Sequence, residues 1–177
     1  MLKNTGSPES RVEARKRLEI EYKELALEYL RRSRSSPVVF PDYLEGLIAL
    51  YEGRFDDALN AAARIGKEKP WFYEAEVLKA AVYYQKSLKS ALVENDLRGE
   101  LENFESVSEV LQRALEVGRS DPDLQLSLCR IDVYSLRAQM RLDWRNLDDR
   151  LFDGALEGCA GHGAHSSRCD GSRGSLA

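Results

Sequence analysis

The chain has 177 residues, 43% of them hydrophobic and 32% charged, with a formal net charge of −4. That length supports one domain with a real core, and the composition is too apolar for global disorder. The acidic balance speaks against a nucleic-acid surface, which needs dense positive charge, and no apolar run approaches the roughly 18 residues of a bilayer span.

The N-terminus, Met1 to Pro8, lacks the apolar core of a secretory signal. The three cysteines, Cys129, Cys159 and Cys169, then fit a reducing cytoplasm. Cys129 stands in an apolar helical pattern and reads as a reduced core residue. Residues 1–9 are expected to be disordered. Leu18, Tyr22, Leu25 and Tyr29 recur at four- and three-residue steps and predict a first helix over 10–32 with one apolar stripe. The basic residues Arg11, Arg15, Lys16 and Arg17 and the cluster Arg31, Arg32 and Arg34 are interleaved with glutamates, as on a solvated helix face.

Ser33 to Ser36 break that pattern. Val38-Val39-Phe40 leans towards a strand, but prolines bracket it. Tyr43, Leu44, Leu47, Ile48, Leu50 and Tyr51 predict a short apolar helix stopped by Gly53. Phe55, Ala58, Leu59, Ala62 and Ile65 predict the next, closed by Gly66. Pro70 is placed to start another, where its missing N–H costs little. Trp71, Phe72, Ala75, Val77, Leu78, Ala81, Val82 and Tyr84 cover nearly all of that helix, which predicts packing on both sides. Glu94 to Gly99 allow a turn. Leu101, Phe104, Ser108, Leu111 and Leu115 follow as a stripe stopped by Gly118. Asp121-Pro122 caps a helix carrying Leu124, Leu128, Ile131, Ser135, Ala138 and Leu142. A last helix is expected near Asp148, with Leu151, Phe152, Ala155 and Leu156.

The helices come in pairs. The stretch 39–72 resembles a tetratricopeptide repeat of about 34 residues. Gly46 takes the small position where the paired helices touch, Gly53 the turn, Phe55 and Ala58 the aromatic and small positions of the second helix, and Pro70 the close. Asp42 and Ala49 depart from the pattern, standing where aromatics are usual. A second unit, 73–122, is longer by about half, which predicts a protruding hairpin around 88–103. A partial repeat fills 123–160. The resemblance implies an all-α fold, an α-α superhelix of about six or seven antiparallel helices over 10–160.

The order of these units is itself a resemblance. Pro70-Trp71-Phe72-Tyr73-Glu74-Ala75, the stretched unit ending Gly118-Arg119-Ser120-Asp121-Pro122, and Leu128-Cys129 beyond it look like the C-terminal helical region of bacterial serine/threonine protein kinases. What this implies, over about residues 37–160, is a cytoplasmic regulatory or partner-binding region that follows a kinase domain. The sequence contains no glycine-rich phosphate loop, Val-Ala-Ile-Lys, His-Arg-Asp or Asp-Phe-Gly. A truncated or split kinase chain is therefore expected, with a stand-alone adaptor as the alternative.

From Gly158 the composition turns to glycine, serine, cysteine and histidine, and 161–177 is expected to be a disordered tail. Cys159, His162, His165 and Cys169 hold the nitrogen and sulfur donors of a structural zinc site. Their crowding within one Gly- and Ser-rich stretch departs from the usual two-pair frameworks, so a small metal-binding protein is the minor reading. A frameshift is the other account of the tail: read one nucleotide later, Gly161 to Ser167 can encode the end of a further repeat.

Both histidines fall in that tail, and the carboxylates fall at solvent-facing helix steps, so neither a catalytic arrangement nor a cofactor is expected. Trp71 and Trp144 read as packing residues. In the repeat alignment a partner groove is lined by Tyr43, Leu47, Leu50 and Tyr51 and then by Glu74, Val77, Ala81, Tyr84 and Gln85, unless the preceding helix fills it. An amphipathic helix or extended peptide, including a segment of a kinase domain, suits such a trough. Tyr43 and Leu47 do not match the Lys/Asn clamp used for C-terminal carboxylates. Leu151, Phe152 and Leu156 lack a following cap, so self-association is expected.

Overall fold

The computed structural model describes residues 8–36 and 40–143. Of these, 88% are helical and none lies in a strand. The all-α helical-hairpin fold expected from the sequence is therefore present. Six α-helices follow in order: α1 Pro8–Arg32, α2 Pro41–Glu52, α3 Phe55–Glu68, α4 Glu74–Lys89, α5 Leu97–Val117 and α6 Pro122–Asp143. The chain divides into two compact units, Met1–Ala61 and Ala62–Ala177. The last expected helix, near Asp148, lies outside the described residues, as do Val38, Val39 and Trp144.

In the first unit α1 packs on α2 through Leu27, Leu44 and Ile48, with Leu30 beside them. The stripe read from the sequence is not the buried one. Leu27 is 3% exposed, whereas Tyr22 and Tyr29 are 69% and 60% exposed and Leu25 is also open. The physical reason is length. The 12 residues of α2 reach only the last turns of α1. Leu27 and Leu30 face α2 there, roughly a third of a turn round the helix from the tyrosines. Arg34 grips Glu45 through two nitrogens at 2.7 and 2.9 Å, and Arg31 reaches Glu52 at 2.8 Å. Arg54 also holds Glu52, and these two arginines keep the Glu52 carboxyl below its usual range.

Gly53 ends α2 as the sequence predicts. Its φ of 79° is left-handed, and two closing bonds form, from Gly53 N–H to Leu50 O and from Arg54 N–H to Ala49 O. This pairing of bonds satisfies the helix's last carbonyls and favours glycine. Gly46 and Ala58 are both buried.

Two boundaries differ from expectation. α3 runs through Gly66 to Glu68, because a helical glycine weakens a helix by only about 1 kcal/mol without ending it. α4 begins at Glu74 and not at Pro70. Residues 69–75 form two consecutive turns, closed by Phe72 N–H to Lys69 O and Ala75 N–H to Phe72 O. Trp71 projects from the first of these and is exposed, its ring edge-on to Phe72, so it is not the packing residue expected.

In the second unit α4, α5 and α6 run antiparallel in sequence. Glu76 early in α4 meets Arg113 late in α5 at 3.3 Å, and Glu100 early in α5 meets Arg141 late in α6 at 3.0 and 3.1 Å. Phe104, Val107, Val110, Leu111 and Ala114 of α5 make the centre of the core, with Leu124, Leu128, Ile131 and Ala138 of α6 against them. α4 is buried on two sides, through Ala75, Leu78 and Val82 and through Ala80. Gly118 closes α5 at a crowded point. A Cβ there would stand 2.9 Å from Leu124 and 3.3 Å from the Tyr73 ring. The expected hairpin is present. α4 continues into a π turn, Ser90–Glu94, and Asp96 caps α5 by accepting from Gly99 N–H. Leu92 and Val93 stand exposed at its tip.

Cys129 is half-buried and disulfide-bonded, not the reduced core thiol expected from the sequence.

Candidate functional site

α4 and α6 both pack on α5 and leave a groove of about 340 Å³ between them. Its floor is Val107 and Leu111 of α5. Val77, Ala80, Ala81 and Tyr84 form one wall, and Ser127, Arg130, Ile131 and Tyr134 the other. The opening follows from side-chain size. Ala80, Ala81 and Ser127 are small where two neighbouring helices would otherwise interlock. The steps 77, 80–81, 84 and 127, 130–131, 134 keep each wall on a single helix face.

At one end of the groove Tyr84 and Tyr134 line it, with the buried Phe104 against both. Tyr84, Phe104 and Tyr134 have centroids 6.0 to 6.3 Å apart in tilted pairs, within the favourable range for aromatic contacts. Burial raises the pKa of the Tyr84 hydroxyl, and the nearby Tyr134 adds to this. Near it, the buried Glu100 is held by Arg141 at the end of α6. Arg130 stands exposed on the rim, with no ion pair among the described residues. Arg137 lies two turns further along α6, also exposed and unpaired among them.

The groove thus combines an apolar floor, two phenol hydroxyls, the Ser127 hydroxyl and an arginine edge. Among the described residues that line it there is no carboxylate, thiol or imidazole. Such a surface can bury an apolar side chain and hydrogen-bond an anionic neighbour.

Of the residues expected to form a partner groove, Val77, Ala81 and Tyr84 are together here, while Glu74 is half-buried and Gln85 exposed. Tyr43, Leu47 and Leu50 are half-buried in the first unit and Tyr51 is exposed. The α6 wall was missed by the sequence reading. Its signal was available as Ser127, Arg130 and Tyr134, a polar stripe beside the apolar one. Cys159, His162, His165 and Cys169 lie outside the described residues, and among those described no group of three or more His, Cys, Asp or Glu is placed to hold a metal ion. No described helix is long and apolar enough to cross a membrane. No protein family, curated protein or solved structure matches the chain.

Proposed function

We infer that this chain is a protein-binding module of tetratricopeptide type without catalysis of its own, whose α4–α6 groove takes an acidic peptide with an aliphatic anchor. The observation that carries this reading is the groove itself. It is an open apolar slot between two helices of one unit, ended by aromatic rings and edged by Arg130, which has no ion pair among the described residues. Slots of this kind receive a helix or extended segment through one or two buried side chains, and rim charges select the partner's sign.

The order of the repeats supports a regulatory setting next to a serine/threonine kinase domain. The reading frame upstream checks that part, and a frame without kinase motifs removes it while leaving the peptide-binding reading intact.

Fluorescence anisotropy tests the groove with two labelled peptides of identical leucine spacing, one carrying glutamates and the other lysines at the remaining positions. The acidic peptide is expected to bind at least tenfold more tightly. Tyr84→Ala should weaken it about tenfold or more, as truncating an aromatic anchor does, and Arg130→Glu should erase the preference. Equal affinity for both peptides, unchanged by either substitution, overturns the reading.

A further inference from the structure

The groove between α4 and α6 has a definite length, and the charges on its edge have a definite spacing. Val77 to Tyr84 on one wall and Ser127 to Tyr134 on the other each cover seven helical steps, about 10.5 Å of axis. Arg130 and Arg137 repeat that interval along the edge of α6. Seven residues return a helix to within about 20° of the same face, so Arg137 starts from the same edge as Arg130, just beyond Tyr134.

Both arginines are exposed, and neither has an ion pair among the described residues. Arg113 and Arg141 of the same unit are instead held by Glu76 and Glu100. The positions three and four residues from Arg130 and Arg137 along α6 are Leu126, Ser127, Val133, Tyr134, Met140 and Arg141. These are the neighbours that could pair with them on the helix surface, and none is a carboxylate.

Two cations about 10.5 Å apart on one edge distinguish between backbones. An extended segment returns to the same face every second residue, at about 6.8 and then about 13.6 Å, and misses the interval. An α-helix meets it at seven residues. The walls favour a helix too. Ala80, Ala81 and Ser127 are small enough to let a helix backbone come close, and the side-chain rows on either side of them form ridges that a third helix can fit between.

We propose that the occupant of the groove is an amphipathic helix of a partner protein, with acidic residues seven positions apart held by Arg130 and Arg137. Aliphatic residues at the third and fourth positions between them enter beside Tyr84 and Tyr134. This rests on the reading of the groove as an acidic-peptide site, and it specifies the peptide's backbone and charge register. Each guanidinium donates to one carboxylate, and a helix formed before docking avoids the cost of ordering a flexible segment.

Fluorescence anisotropy with the full chain tests this on three labelled peptides that share two glutamates and two leucines. The first is stapled as a helix with the glutamates seven apart. The second is stapled with them five apart, on different faces. The third keeps the first's order but carries prolines that forbid a helix. The first should bind at least about tenfold more tightly than either other. Arg137→Glu and Arg130→Glu should each weaken it about tenfold, and the chain with both substitutions should prefer the first peptide's lysine counterpart. Equal binding of the first and third peptides overturns the helix, and equal binding of the first and second overturns the register. In either case, discrimination against the lysine counterpart that is lost in Tyr84→Ala still upholds the groove as an acidic-peptide site. Absence of that discrimination removes the groove reading and this proposal with it. A dimer in sedimentation that Tyr84→Ala dissociates means that a second copy fills the groove, and overturns the partner helix.

Discussion

α1 and α5 carry the same kind of sequence pattern and use it in opposite ways. On α5 the three-four stripe around Phe104 and Leu111 is buried. On α1 the stripe Tyr22, Leu25 and Tyr29 faces outward, and Leu27 does the packing. The difference is in the neighbours. α5 lies between α4 and α6, so both of its flanks are covered, while within its own unit α1 rests on a helix half its length. A periodic stripe marks an apolar face; how many helices reach it decides whether that face is core.

The sharpest way to break this comparison is to cut one residue from each stripe. Phe104→Ala removes a ring that is 4% exposed and touches Tyr84 and Tyr134. It should lower stability by about 3–5 kcal/mol, read from the urea unfolding midpoint. Tyr22→Ser and Tyr29→Ser should each stay within about 0.5 kcal/mol of wild type. A loss above about 1.5 kcal/mol at Tyr29, the cost of a truly buried site, means that the α1 stripe is covered after all.

A buried charge sharpens the account of α5. Glu100 is 7% exposed, and both of its carboxylate oxygens accept from Arg141 Nη1. Arg141→Met strands that carboxylate and should cost about 2 kcal/mol, part of it restored by Arg141→Lys. The arginine is itself half exposed, so the loss stays below that of a fully buried pair. An Arg141→Met chain as stable as wild type means that water reaches Glu100.

The same logic of neighbours explains what could be read from the sequence. Fold class, the Gly53 stop, the Asp121-Pro122 start and the long hairpin were legible because each depends on local chemistry: a left-handed glycine, a capping carboxylate, a polar turn. Val77, Ala81 and Tyr84 were legible as one face of α4, and they do line the groove. The opposite wall was not, since Ser127 and Arg130 are ordinary surface residues until α5 sets α6 apart from α4. The two misplaced boundaries, at Gly66 and Pro70, fail for a related reason. Glycine and proline weaken or start a helix only where the surrounding chain leaves the choice open, and Tyr73 is tied to Asp121 across 48 positions of sequence.

That tie gives the smallest of the expected effects and the one with a distinct pH signature. The Tyr73 hydroxyl donates to Asp121 Oδ2 at 3.0 Å, joining the start of α4 to the turn before α6. The hydrogen bond to Asp121 raises the hydroxyl's pKa above the ordinary 10.0, with burial and the charges of Asp121 and Glu74 adding to it. Folding therefore favours the protonated phenol. Its contribution is complete below pH 10.0 and is lost as pH rises through the folded value. Tyr73→Phe should cost about 0.5 kcal/mol near pH 8, a modest figure because the bond is only partly buried. The gap between wild type and Tyr73→Phe should then narrow above about pH 10, seen as converging thermal midpoints. Asp121→Asn removes the carboxylate that raises the phenol, so the alkaline loss should begin at lower pH in that variant. A gap that stays constant across the alkaline range means the ring is held by packing near Gly118 and not through the hydroxyl's bond to Asp121.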